Sequence, residues 1–193
     1  MNAPRRRTVS QVALPLALVL VAGCGYNQIQ TLDERSNAAE SQIKVQLQRR
    51  ADLIPNLVET VKAYAKQEQT IFTAVAEARA KLAGAVQSGN LEEMARANGE
   101  LTAGLGRLLA IVENYPQLKS NENFRALQDQ LEGTENRIAV ARQDYNETVN
   151  TYNAYIRRFP QVMTAKVLGK GPRPYFELQT PGAAEAPRVD FSK

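Results

Sequence analysis

The strongest constraint on this chain is a run of eleven positions: Phe124, Leu127, Leu131, Thr134, Ile138, Ala141, Tyr145, Thr148, Tyr152, Tyr155 and Phe159. They alternate steps of three and four residues without a slip. Five heptads in phase give a 3.5-residue period, which predicts a long helix with one seam, left-handed supercoiling and a crossing angle near +20° to its neighbours. At 1.5 Å per residue, the roughly 38 residues of such a helix would extend about 57 Å. An intermolecular coiled coil would satisfy the same seam. Three earlier segments, however, each carry an apolar stripe of their own, and short connections favour antiparallel neighbours within one chain. The expected architecture is all-α: a long antiparallel up-and-down four-helix bundle with an irregular C-terminal tail.

The first helix is expected over about 27–50, with Ile29, Leu32, Ser36, Ala39 and Ile43 along one face. The second is expected to begin near Asp52 as N-cap, with Pro55 in its first turn, where a missing N–H breaks no intrahelical bond. Its stripe is Leu57, Val61, Tyr64, Ile71, Val75, Ala78, Leu82 and Val86, closed by the glycine break "QSGN". The third starts at Asn90 with Glu93 in capping-box spacing, runs through Met94, Leu101, Leu105, Leu108 and Val112, and stops at the proline of "NYP". Gly99, Gly104 and Gly106 cost it up to about 1 kcal/mol each relative to alanine, so it is either closely packed or easily deformed. A composition rich in helix formers and without tryptophan agrees with this reading, and 193 residues suit a single domain.

The N-terminus carries a different signal. Arg5, Arg6 and Arg7 precede "VALPLALVLVAG", an apolar run of about twelve residues, which suits a secretory signal and falls short of the roughly twenty needed to span a bilayer. "VAGC" (residues 21–24) resembles a bacterial lipobox, so residues 1–23 are expected to be removed and Cys24, the only cysteine, to carry lipid. The alternative is an uncleaved anchor with a free or buried Cys24. Two or three acyl chains make a stable anchor where one binds marginally. Without the three arginines, 21 basic residues face 20 acidic ones, and the net charge of +4 falls to +1. Nothing then argues for nucleic acid as a partner. With a single cysteine there is no intramolecular disulfide, so packing must hold the fold.

The chain contains no histidine. That removes Ser-His-Asp and Cys-His arrangements and the Glu-x-x-His ligands of di-iron bundles. No phosphate-binding glycine loop is present. No catalytic residue, metal or cofactor is expected, and carboxylate neighbours such as Glu132 with Glu135 and Glu92 with Glu93 read as solvated faces.

Polar residues in unexpected places are the remaining candidates for an interaction surface. Gly133, in mid-helix, invites close approach of another backbone, and Glu135, Asn136 and Arg137 follow it directly. Asn146 and Asn153 lie one heptad apart, each after a tyrosine. They form either a docking strip for a partner helix or amides that fix register inside the bundle, the latter favoured because Tyr145 and Tyr152 sit on the core phase. Glu113, Asn114, Tyr115 and Asn123 gather at one helix connection. They can bind a partner or small ligand, or simply serve helix ends, with Ser120 or Asn121 as the next cap.

After Pro160 the helical pattern ends. The Gly/Pro-rich tail is either mobile or pinned as a strap by Tyr175, Phe176, Val189 and Phe191. The expected organisation is a signal peptide over 1–23, a four-helix domain over 24–167 and a tail over 168–193.

The strings "QLQRRADLIPNLVETVKAYA" (46–65), "IVENYPQLKSNENFRALQDQLEGTENRIAVARQDYNETVNTYN" (111–153), "YFE" and "APRVDF" closely resemble the LemA family. The resemblance implies an antiparallel helical bundle held at a bacterial membrane by its N-terminus, with no established activity. Two features depart from it. Glu40 stands where the family typically has an aromatic residue, and "VAGC" replaces the uncleaved membrane helix the family often uses. The function expected is a non-enzymatic scaffold or adaptor, lipid-anchored in the envelope and facing the periplasm or cell exterior, with membrane-associated protein partners. A homo-oligomer stays open. Gly25 after the lipid site, rather than aspartate, favours outer-membrane sorting if two membranes are present. The alternative is an envelope sensor that binds a small molecule or peptide in the bundle.

Overall fold

The computed structural model describes residues 25–177, and every regular element among them is helical: α1 (Tyr26–Lys62), α2 (Gln69–Ser88), α3 (Leu91–Val112), α4 (Pro116–Lys119), α5 (Glu122–Ile156) and α6 (Gln161–Val167). The signal segment, Cys24, Val189 and Phe191 lie outside the described residues. The described residues form two compact units, one from residues 25–41 with Gln143–Tyr175, the other from Gln42–Arg142 with Phe176 and Glu177. α1 and α5 contribute to both.

In the second unit, α1 runs straight through the expected break, so Asp52 is not an N-cap and Pro55 stands in a helix interior. A proline there removes the N–H that would bond the carbonyl four residues back, here that of Ala51. Ala51 is 1% exposed, so water does not replace the missing donor. Nε of Arg79 on α2 does, donating to the Ala51 oxygen at 3.0 Å. The side chain of Asp52 instead accepts from Nε2 of Gln48 one turn earlier, at 2.8 Å. The actual break is "AYAKQE" (63–68), which has neither glycine nor proline. Ala65 is buried there, and its N–H still reaches the Val61 oxygen.

The next two boundaries fall where the sequence puts them. Gly89 adopts the left-handed φ of 71° that ends α2, and Asn90 caps α3 by accepting from the N–H groups of Glu92 (3.0 Å) and Glu93 (3.2 Å). Glu93 does not return the bond in capping-box fashion. Its carboxylate accepts from the Ser88 hydroxyl at 3.1 Å. α2 and α3 pack together, and a Cβ on Gly104 would meet Val75 at 3.5 Å, whereas Gly99 and Gly106 face open space. Of the three, only Gly104 lies against a neighbouring side chain, at a distance an alanine Cβ would fill as ordinary contact. Past "NYP", Pro116 opens the short α4, and Asn121, not Ser120, caps α5 by accepting from the Phe124 N–H at 3.0 Å. The core here includes Leu47, Ile54, Leu57, Phe72, Val75, Leu82, Met94, Leu101, Leu108, Phe124 and Ile138.

In the first unit, Ile29 and Leu32 of α1 pack with Tyr152 and Ile156 of α5 and Ala165 of α6, with Tyr155 and Leu168 at the margin. The α5 seam corrects the strict heptad reading. After Tyr145 the buried apolar positions are Val149, Tyr152 and Ile156, while Thr148 and Tyr155 are only half-buried and Phe159 is 81% exposed. An α-helix of 3.6 residues per turn drifts about 20° per heptad against a 3.5 repeat, and here the drift shows as a one-residue slip. Pro160 does not end the helical pattern, because it is the N-cap of α6. Gly133 admits no second backbone: the space above it is taken by the guanidinium of Arg137 one turn on, 3.4 Å from where a Cβ would stand.

Candidate functional site

The densest polar constellation lies in the first unit and begins at the end of α6. Gly169, with φ of 65°, turns the chain back. Its N–H bonds the Lys166 oxygen and the next N–H bonds the Ala165 oxygen, the paired bonds of a Schellman motif that only a residue tolerant of positive φ closes cheaply. The following "KGPRP" then runs extended, because Pro172 and Pro174 fix φ and carry no N–H. With few donors of its own, this strap is held through its carbonyls. The Tyr152 hydroxyl donates to the Gly171 oxygen (3.2 Å) and the Tyr145 hydroxyl to the Pro174 oxygen (3.0 Å). Asn153 closes a two-way rung, donating to the Arg173 oxygen at 2.9 Å and accepting from the Arg173 N–H at 2.8 Å. Tyr175 adds a bond to the Asn150 side chain at 3.3 Å.

Charge completes the clamp. Asp33, Asn37 and Glu40 share a face of α1 at helical spacing. Asp33 is 8% exposed, and its two carboxylate oxygens take Lys170 Nζ at 2.6 Å and the Nε and Nη2 of Arg173 at 3.0 and 2.8 Å. The same guanidinium donates to the Asn37 side chain, lies 3.8 Å from the Glu40 carboxylate and stacks 5.8 Å from the Tyr152 ring centre. Burial works against the charge on Asp33, but the bonds from Lys170 and Arg173 outweigh it and hold its pKa below 3.8. The bond to Asp33 raises the Lys170 pKa. Burial, reinforced by Glu40, pushes the Tyr145 phenol up to about 12, and burial with Asp33 raises that of Tyr152. Asp33 is held ionised by three donors, and its lowered pKa makes it a poor general base. The arrangement fastens the tail; it does not present a reactive group.

A smaller polar cluster lies in the second unit. Arg50, 4% exposed, donates from Nη1 to Asn98 at 2.7 Å and forms an ion pair with Glu135. Arg142 feels the same carboxylate and stacks 5.4 Å from the buried Phe176 ring. Burial lowers the pKa of both arginines, and Glu135 opposes that shift. The Nε atoms of Arg50 and Arg142 are buried without an acceptor.

The residues singled out from sequence distribute unevenly over these features. Glu135 pairs with Arg50, while Asn136 and Arg137 face solvent. Asn153 is buried and bonded to the strap, whereas Asn146 is half-buried, so the two do not form one outward strip. Glu113, Asn114 and Asn123 are exposed and Tyr115 half-buried around the α3–α5 connection. Asn121 there donates to the Tyr64 hydroxyl at 3.2 Å. Sequence reasoning misses Asp33, Lys170, Arg173, Arg50 and Arg142. The available signal is an acid, Asp33, directly beside Leu32 of an apolar stripe, matched by two cations spaced between the glycines and prolines of the tail.

No group of three potential ligand side chains that could hold a metal ion occurs among the described residues, and no described helix is long and apolar enough to cross a membrane. A sequence model of the LemA family matches residues 39–191. The chain belongs to the LemA family. The matched region contains Glu40, Asn153 and Arg173, while Asp33 and Asn37 precede it. Similar relatives are magnetosome proteins MamQ 2 and MamQ 1 of Paramagnetospirillum magneticum, each 30% identical over 180 positions covering 81% of this chain and 66% of the relative. Magnetosome protein MamQ of Magnetospirillum gryphiswaldense is 28% identical over 212 positions, 94% of this chain and 78% of the relative. The chain thus spans just under two thirds of the first two.

Proposed function

We propose that this LemA-family protein is a lipid-anchored scaffold or adaptor of the bacterial envelope. Residues 1–23 act as a signal peptide, Cys24 carries the lipid, residues 24–167 form the helical domain as an antiparallel four-helix bundle, and 168–193 are the tail. The protein faces the periplasm or cell exterior, in the outer membrane where two membranes exist, and engages membrane-associated protein partners without catalysing a reaction. The observation that carries this reading is the clamp around Asp33. The buried polar groups there are bonded to one another, so this region supports a fixed surface, and none of the clamp's own groups is a poised acid, base or nucleophile. Relatives whose names assign them to a structure, the magnetosome, and to no reaction are consistent with it.

Two measurements test the reading. Mass spectrometry of the N-terminal peptide should find diacylglycerol on Cys24, and an unmodified thiol would refute the anchor. Photo-crosslinking in intact cells from probes at Asn114, Arg137 and Asn146 should trap one recurring protein partner. Capture of lipid or self alone would refute the adaptor role. The sensor alternative draws on the unpaired Nε atoms of Arg50 and Arg142. Saturable binding of a small anion or peptide by calorimetry, lost in Arg50→Met, would favour it.

A further inference from the structure

Phe159, assigned by its spacing to the core seam, is 81% exposed, and Met163 and Val167 are 58% and 86% exposed. These three large apolar residues are four apart. The Val162 N–H bonds the Arg158 oxygen at 2.7 Å and the Met163 N–H bonds the Pro160 oxygen at 3.0 Å, so Phe159 stands exposed in the turn that leads into α6, and Met163 and Val167, four apart on α6, share one side of it. The other side of α6 is already occupied, since Thr164 and Ala165 are buried and Leu168 packs against the Ile29–Tyr152–Ile156 cluster. The outward face is therefore apolar without being needed for folding.

Its charge is one-sided. Between Ala154 and Gly169 the chain has Arg157, Arg158 and Lys166, all exposed, and no aspartate or glutamate. Its position is equally specific. A Cβ on Gly25 would stand 3.0 Å from Cγ of Gln161 and 3.1 Å from the Tyr155 hydroxyl, so the first described residue rests on the start of α6. Tyr26, next in the chain, is 47% exposed. Residues 1–24, with their apolar run and Cys24, thus join the domain at the start of α6, the helix that carries Met163 and Val167.

We infer that the face carrying Phe159, Met163 and Val167 is a second membrane contact, lying on an anionic phospholipid surface. The three apolar side chains enter the headgroup–acyl boundary, and Arg157, Arg158 and Lys166 pair with lipid phosphates while their stems lie along the apolar surface. This inference rests on the reading that the N-terminal segment holds the chain at a membrane. An anchor at one point leaves the domain free to rotate, whereas a short amphipathic face next to the anchor fixes which surface points away from the bilayer.

The absence of native tryptophan makes the test direct. The full-length Phe159→Trp chain, and separately Met163→Trp, is reconstituted into vesicles of phosphatidylcholine and phosphatidylglycerol brominated at defined acyl depths, with flotation measured on the same samples. Val140→Trp, an exposed site on α5, is the control. The expected result is blue-shifted emission quenched most by bromines near the headgroup end, with the control unquenched. Quenching should fall in vesicles of phosphatidylcholine alone and in the triple variant Arg157→Glu, Arg158→Glu, Lys166→Glu. A chain that floats with unquenched emission at Phe159→Trp and Met163→Trp overturns the contact while leaving the anchor intact. A chain that does not float overturns the anchor and the contact together. Equal quenching of Val140→Trp, or a concentration-dependent blue shift without vesicles, which would assign the face to a second copy of the chain, also overturns it.

Discussion

The continuity of α1 through Pro55 depends on one tertiary hydrogen bond, and a double-mutant cycle isolates it. Arg79→Met keeps most of the side-chain stem but removes the donor 3.0 Å from the Ala51 oxygen. Ala51 is 1% exposed, and the residue-55 N–H that would normally serve its carbonyl does not exist. The substitution therefore leaves a buried acceptor unsatisfied, at about 1–3 kcal/mol. Pro55→Ala restores the backbone donor. In that background the carbonyl keeps a partner, and Arg79→Met should cost about 0.5 kcal/mol or less. The expected coupling is about 1–2 kcal/mol, within the range found for residues sharing one acceptor. For a chain of this size, about 2 kcal/mol lowers Tm by about 4–8 °C, so thermal melts followed by circular dichroism on the four full-length chains in detergent resolve the effect. Equal costs of Arg79→Met in the two backgrounds would refute the reasoning, because Arg79 would then stabilise the fold by packing alone.

Asp33→Asn should loosen the strap, costing about 1–3 kcal/mol through the loss of two charge-assisted partners. Trypsin cleavage after Lys170 should accelerate relative to other sites, and unchanged cleavage would count against the clamp. The pH dependence follows from the same groups. The depressed pKa of Asp33 contributes stability that is present above 3.8 and lost as pH falls through the lower folded value. The Tyr145 pKa is raised from 10.0 to about 12, so the unfolded chain releases that proton first and stability falls as pH rises across this window, with the raised pKa of Lys170 acting in the same direction. Tyr145→Phe should flatten the alkaline loss by about 3 kcal/mol at most, read from melts across that range. Gly106→Ala, on a helix face with open space, should stabilise α3 by about 0.5–1 kcal/mol in denaturant titrations, whereas Gly104→Leu should destabilise by about 1–3 kcal/mol against Val75.

Local patterns are legible where the chain itself supplies the deciding group. Asn90 as a cap, the Gly89 break and the Ile29-to-Ile43 face of α1 follow from side-chain chemistry and helical periodicity, and the structure has them in place. Sequence reasoning divides α1 at the wrong place because Pro55 is a breaker only when nothing else serves the carbonyl it orphans. The substitute donor lies 28 residues away from Ala51. The break at 63–68 carries no glycine or proline to announce it. The spacing of Asn153 marks it as unusual but points to a partner helix or to bundle register. Its partner is the backbone of Arg173, which only the return of the chain at Gly169 brings near.

The sequence by itself determined that this protein is helical, that it has no histidine chemistry, and that its long helix α5 carries a seam, because periodicity and residue inventory are properties of neighbouring positions. Only the tertiary structure decided where that seam slips, which proline a helix can absorb, and that residues 170–175 of the Gly/Pro-rich tail are a strap. The Asp33 clamp joins residues more than 130 positions apart. No local pattern encodes such a meeting; it forms only when packing removes competing water and leaves each buried charge with one place to go.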